Sequence, residues 1–277
     1  MRKYLLMLLL AIPQVLPPIA EAAKIQPITV KNSDGKEYKG ELMLPEKANA
    51  KTALPLVLVA PEWWGIQGYP EMRARKIADE LGDAALVLDF YGNAKTVKTP
   101  AEAQALATPY YQDPESGVKL IRQFVDAAQA LAQEKKVNLD LQKIVAVGYC
   151  FGGGQVLNLA RAGGLNGNQK LIGVVTFHGS LVSSMKAKGT ITPKLLVLHG
   201  ATDQTMTPKE VAAFKEEMKA AHADLEFHAY PGAAHAFTNP KATEIGKKYK
   251  IPVAYNRAAD LDSWKRFQSF LKNVLGR

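Results

Sequence analysis

The sequence predicts an α/β fold: a mainly parallel central sheet with helices on both faces and an antiparallel hairpin near the N-terminus. Three observations predict it. Apolar runs of strand length alternate with amphipathic stretches of helix length, as in strands joined by crossover helices. Runs such as Leu54-Pro55-Leu56-Val57-Leu58-Val59-Ala60 and Ala84-Ala85-Leu86-Val87-Leu88 carry no polar residue, as strands buried on both faces do not. Reactive residues then follow the ends of such runs, where open α/β sheets bind their ligands. The length of 277 residues suits one domain of this kind, expected over 23–277.

Residues 1–22 read as a signal peptide. Arg2 and Lys3 make a basic start, and Leu5 to Ile12 form a short apolar run. Pro13, Pro17 and Pro18 break any helix, and Ala20-Glu21-Ala22 is a small-x-small cleavage site. The apolar run is too short and too often interrupted for a membrane span. A periplasmic or secreted location is expected, with no stable membrane insertion after cleavage.

The hairpin follows. Ile25 to Val30 and Tyr38 to Leu44 are its strands, and Asn32-Ser33-Asp34-Gly35 is its turn. The Leu54 run is the next strand and ends in Pro61-Glu62-Trp63-Trp64-Gly65. Residues 69–81 have helical spacing, with Met72, Ile77 and Leu81 expected inward. The Ala84 run ends in Asp89-Phe90-Tyr91-Gly92, and residues 93–114 are polar with short helical patterns. Residues 118–133 form an amphipathic helix with Leu120, Ile121, Phe124, Val125 and Leu131 inward. Later strands begin near Lys143, Leu171, Lys194 and Leu225, and helices are expected over 155–161, 208–221 and 257–275.

The strand Ile144-Val145-Ala146-Val147 runs into Gly148-Tyr149-Cys150-Phe151-Gly152-Gly153-Gly154, and a helical stretch leaves it. Strand, sharp turn and helix are the context of a nucleophile elbow, here with Cys150 at the nucleophile position. Gly148 and Gly152 fit because strand and helix backbones come close there. The helix N-terminus favours thiolate over thiol. A small residue packed where a helix leaves a strand would give the same local pattern. Cys150 is the single cysteine of a chain expected to be exported, so it has no partner for an internal disulfide.

Asp203, after the Lys194 strand, is the candidate acid that orients a histidine. Turn capping before Pro208 is its other use, and Asp89 is a rival acid. His235, in a Pro/Gly/Ala loop after the last strand, is the candidate base. His178 and His199 read as ligands of nearby backbone, and His222 and His228 as exposed. Cys150, Asp203 and His235 stand in the chain order of the α/β-hydrolase fold. The N–H groups of Phe151 and Trp63 are the expected oxyanion donors. Trp64, Tyr91 and Phe237 are expected to line an apolar substrate pocket.

Formal net charge is +9, but the lysines are scattered and no basic tract alternates with aromatics. Nucleic acid is therefore not an expected partner. No cluster has metal-ligand spacing, and no cofactor is expected. A monomer acting on a small ester or lactone is the leading expectation. A binding or thiol redox-sensing protein on a hydrolase scaffold is the alternative.

The set Glu62-Trp63-Trp64-Gly65, Asp89-Phe90-Tyr91-Gly92, Gly148-Tyr149-Cys150-Phe151-Gly152-Gly153, Phe177-His178-Gly179, His199-Gly200-Ala201-Thr202-Asp203 and His235-Ala236-Phe237 resembles the dienelactone hydrolase family. The likeness runs from about Ile28 to the C-terminus, in the family's order. It implies a Cys150, His235, Asp203 triad. It also implies that Glu62 contacts the resting thiol and helps to form thiolate. The chain departs from the family at the arginines that hold a substrate carboxylate. After His235 it reads Phe237-Thr238-Asn239-Pro240, and after Tyr91 it has Lys95 and Lys98. Neither place offers the planar fork that binds a carboxylate bidentately.

Overall fold

Along each central strand, alternate side chains enter two separate apolar cores, as the two-residue period of a strand requires. Leu56, Leu58, Leu86, Ile144 and Ala146 belong to one core, and Val57, Val59, Val87, Val145 and Val147 to the other. The description comes from a computed structural model covering residues 23–277 except Gln67. The signal peptide expected over 1–22 lies outside the described residues.

Eight strands form one sheet: β1 (Lys24–Lys31), β2 (Glu37–Leu44), β3 (Leu54–Ala60), β4 (Ala84–Val87), β5 (Leu139–Tyr149), β6 (Leu171–Phe177), β7 (Lys194–Gly200) and β8 (Leu225–Tyr230). Their spatial order is β1-β2-β4-β3-β5-β6-β7-β8. β2 is antiparallel to both β1 and β4, and the other neighbours are parallel. The expected hairpin is thus β1–β2, joined to a parallel sheet.

Helices cover both faces. On one lie α2 (Pro100–Gln112), α3 (Pro114–Glu134), α4 (Phe151–Arg161) and α5 (Pro208–Ala220), whose Ala107, Phe124, Val156 and Phe214 enter the first core. On the other lie α1 (Tyr69–Lys76) and α7 (Arg257–Leu275), which supply Ala74, Trp264 and Phe267 to the second. α2 and α5 begin with prolines behind threonine caps, Thr99 and Thr207, whose side chains accept the N–H of Glu102 and Glu210. A short helix, α6 (Ala242–Tyr249), follows the His235 loop; no expectation covered it.

Met72 does not point inward. It is exposed, and Arg73 and Ala74 take the inner face of α1. A buried arginine is tolerated here because its charge and donors are met. Arg73 pairs with Asp260 on α7, donates from Nε to the Tyr69 hydroxyl at 3.0 Å, and from Nη2 to the Thr238 carbonyl at 3.4 Å. After Lys76 the helix widens into a π-helical turn, Ile77–Leu81, in which Ile77 is buried and Leu81 only partly so. Among the described residues, no helix is long and apolar enough to cross a membrane.

Candidate active site

Cys150 joins β5 to α4 with φ 53° and ψ −117°. A non-glycine residue rarely adopts that conformation, and it persists only where its surroundings enforce it. The Cys150 N–H donates to the Phe177 carbonyl at 3.0 Å, and the Gly152 N–H to the Pro61 carbonyl at 3.0 Å. A Cβ on Gly148 would overlap the Gly152 carbonyl, and one on Gly152 would overlap the Ala60 carbonyl. The turn therefore holds the half-buried thiol above the sheet, at the start of α4.

The loops after β7 and β8 bring Asp203 and His235 to that thiol. His235 Nε2 lies 3.0 Å from Cys150 Sγ, and His235 Nδ1 lies 2.8 Å from Asp203 Oδ2. Asp203 Oδ1 also accepts the Thr205 N–H at 2.8 Å and the Thr205 hydroxyl at 2.6 Å. Burial opposes the charged form of Asp203, but the bonds from His235 and Thr205 prevail and hold its pKa at about 2. Burial would likewise lower the His235 pKa. The facing Cys150 sulfur and Asp203 carboxylate outweigh it and raise that pKa well above the ordinary imidazole value.

The loop after β3 supplies Glu62, Trp63 and Trp64. Among the described residues, the N–H groups of Trp63 and Phe151 donate to no protein acceptor. Both residues line the cavity above Cys150. Glu62 is buried, and Asn239 Nδ2 donates to its Oε2 at 2.6 Å. Burial raises the Glu62 pKa to about 7, against the opposing pull of the Asn239 bond and of nearby His235 and Arg73. The hydrogen bond of Glu62 is thus to Asn239, while the thiol faces His235.

The cavity has a volume of about 390 Å³. Trp63, Trp64, Tyr111, Phe151 and Met206 form much of its apolar wall, and among the described residues no lysine or arginine lines it. Two residues expected there stand elsewhere. Phe237 is fully buried in the second core against His178 and Tyr230. The chain turns at Ala236, which has φ 59° and lines the cavity in its place. Tyr91 lies behind the wall, packed on Phe151, and donates its hydroxyl to the Trp63 carbonyl at 3.0 Å. It supports the loop after β3 instead of lining the pocket.

Asp89 accepts the backbone N–H groups of Lys39, Tyr91, Gly92 and Ala94, so it is a turn ligand and not a partner of His235. His178 bonds a distant side chain, the Thr238 hydroxyl at 2.8 Å, and not neighbouring backbone as expected. Burial and the nearby His235 hold it neutral, with a pKa well below the ordinary value. Thr205 and Asn239 are site residues that no sequence signal singled out, beyond their closeness to Asp203 and His235. Among the described residues, no group of three or more His, Cys, Asp or Glu side chains could hold a metal ion.

The strand order, the elbow and the three side chains after β5, β7 and β8 define an α/β-hydrolase. Residues 39–275 match the model of the dienelactone hydrolase family. The chain belongs to that family, and is a hydrolase of ester or lactone bonds. It is 26% identical over 274 residues to a protein of Saccharolobus solfataricus provisionally named a carboxymethylenebutenolidase, covering 88% of this chain and 96% of the relative. Two solved structures are similar. One is a dienelactone hydrolase-like promiscuous phosphotriesterase from metagenomic libraries, at 29% identity and a TM-score of 0.78. The other, m3DLH, has 28% identity and a TM-score of 0.79. Each alignment covers 91% of this chain and 99% of the other.

Proposed function

We propose that the chain hydrolyses small neutral esters or lactones through a thioester on Cys150. His235 takes the Cys150 proton, the thiolate sulfur attacks the acyl carbon, and the carbonyl oxygen gains negative charge. The Phe151 and Trp63 N–H groups bond that oxyanion. The tetrahedral intermediate collapses, the C–O bond breaks, and protonated His235 gives its proton to the leaving oxygen. His235 then takes a proton from water, whose oxygen attacks the thioester. The acid departs and the thiol is restored. Asp203 holds His235 in the required tautomer throughout.

The observation that carries this reading is the continuous line from Cys150 Sγ to His235 at 3.0 Å and from His235 to Asp203 at 2.8 Å. Hydrolysis of p-nitrophenyl acetate by wild type and Cys150→Ala tests it. Loss of activity in the variant, with a mass shift of one acetyl group on trapped wild-type Cys150, is the expected result. Equal rates would reject Cys150 as nucleophile.

We also propose that the enzyme is exported and acts as a monomer. The basic start, the short apolar run and Ala20-Glu21-Ala22 support the first. N-terminal sequencing from the native host should find Ala23 or Lys24; intact Met1 in the membrane fraction would overturn export.

A further inference from the structure

A second cavity of about 580 Å³ adjoins the catalytic one. Four residues line both: Glu62, Trp64, Asn239 and Ile245. They form a wall with two halves. The polar half is the 2.6 Å bond from Asn239 to Glu62. The apolar half is Trp64 with Ile245. Trp64 stacks on Tyr249, with ring centroids 6.3 Å apart and planes at 29°. Ile245 and Tyr249 are one turn apart on α6, so a single short helix backs this half of the wall. Tyr249 is itself tied down, donating its hydroxyl to the Lys98 carbonyl.

The second cavity touches the oxyanion loop but not Cys150, Phe151 or His235. His235 is the group that protonates the leaving oxygen. A space reached past Glu62 and Trp64, and not past His235, lies on the acyl side of the scissile bond. Its lining also includes Met72 and Val97, both apolar. The exposed Lys98, Lys241 and Lys248 also line it.

We propose that the second cavity is a distal acyl subsite and that the Trp64–Ile245 pair is the partition limiting acyl length. With the pair in place, short acyl groups fill the catalytic cavity and longer unbranched chains meet the Trp64 ring. Removing either side chain opens the subsite to medium-chain acyl groups. This inference rests on the esterase reading above, and its test separates the two.

The readout is the ratio of kcat/KM for p-nitrophenyl octanoate to that for p-nitrophenyl acetate. Wild type should favour acetate. Trp64→Ala should raise the ratio about tenfold or more, since even one methylene in an apolar site is worth roughly ten- to two-hundredfold. Ile245→Ala should raise it severalfold from the other side of the partition. A ratio cancels any general loss of rate caused by disturbing the loop beside Trp63. Wild-type ratios in both variants, or a wild type already equal on both esters, would overturn the partition. A parallel titration in the Cys150→Ala background compares binding of octanoate and acetate esters by quenching of the remaining tryptophans. It decides the same question without turnover. If wild type hydrolyses no ester, the esterase reading fails and this titration alone judges the partition: tighter octanoate binding on opening supports it, and no change refutes it.

Discussion

Glu62→Gln is the most informative single change, because it alters a proton and little else. The glutamine oxygen can still accept the bond that Asn239 Nδ2 makes to Glu62 Oε2 at 2.6 Å. Wild-type Glu62 is 2% exposed, and burial lifts its pKa from an ordinary 4.5 to about 7. Between these values the folded chain keeps a proton that the unfolded chain releases. Stability therefore falls as pH rises from about 4.5 to about 7 and is level above that, as far as this group is concerned. The difference corresponds to about 3 kcal/mol. Glutamine carries no such proton, so the variant lacks this loss. The stability of the variant minus that of wild type should rise by about 3 kcal/mol between pH 4 and pH 8. Other titrating groups are shared by the two proteins and cancel. Urea unfolding followed by tryptophan fluorescence measures the difference. A flat difference across that range would refute the claim that Glu62 holds its proton in the folded enzyme. Ester turnover should also drop about a hundredfold if Glu62 takes part in proton transfer at the thiol.

Asp203→Asn should lower kcat about a thousandfold or more with little change in KM, because His235 loses the acceptor that fixes its tautomer; stopped-flow ester assays read the split. Arg73→Met should cost about 3–5 kcal/mol by leaving Asp260 without its charged partner inside the protein, and urea unfolding measures it. Neutral aryl esters should be cleaved with higher kcat/KM than a compact lactone bearing a carboxylate, in a panel at one pH. A strong preference for the anion would contradict the apolar, lysine-free lining of the catalytic cavity.

The residues beside Cys150 were legible because each carries a local signature. Cys150 has glycines two positions away on either side, and Asp203 and His235 follow strands at their carboxyl ends. What the sequence hid depends on distant partners. Asn239 looks like an ordinary loop residue until the fold sets it against Glu62, 177 positions earlier. Met72 was expected inward because periodicity favours an apolar residue over the charged Arg73 that follows it. The charged partner of Arg73, Asp260, lies 187 positions away, and that pairing, with the bonds to Tyr69 and Thr238, makes its burial tolerable. Helix α6 has eight residues, among them Thr243 and Gly246, too short and too weakly helical to stand out. Phe237 was placed at the cavity by its closeness to His235. The positive φ at Ala236 turns the chain so that the next ring enters the core.

The same buried carboxyl links stability to substrate choice. Glu62 and His235 line the catalytic cavity together; the charge of His235 is already met by the Cys150 sulfur and Asp203, and among the described residues no lysine or arginine lines the cavity. A substrate carboxylate close to the scissile bond therefore lies near Glu62. Two like charges about 5 Å apart repel by roughly 3 kcal/mol at an effective dielectric constant near 20. That repulsion exists only when Glu62 is ionised, which its pKa of about 7 confines to neutral and alkaline solution. Below that pH Glu62 is neutral, and the penalty on an anionic lactone is lifted. The preference for neutral over anionic substrates should therefore grow as pH rises through about 7, the point at which the stability loss that Glu62→Gln removes comes to an end. In the Glu62→Gln enzyme this pH-dependent part of the preference should vanish. If the preference keeps its wild-type pH dependence there, some group other than Glu62 sets the charge selectivity of the cavity.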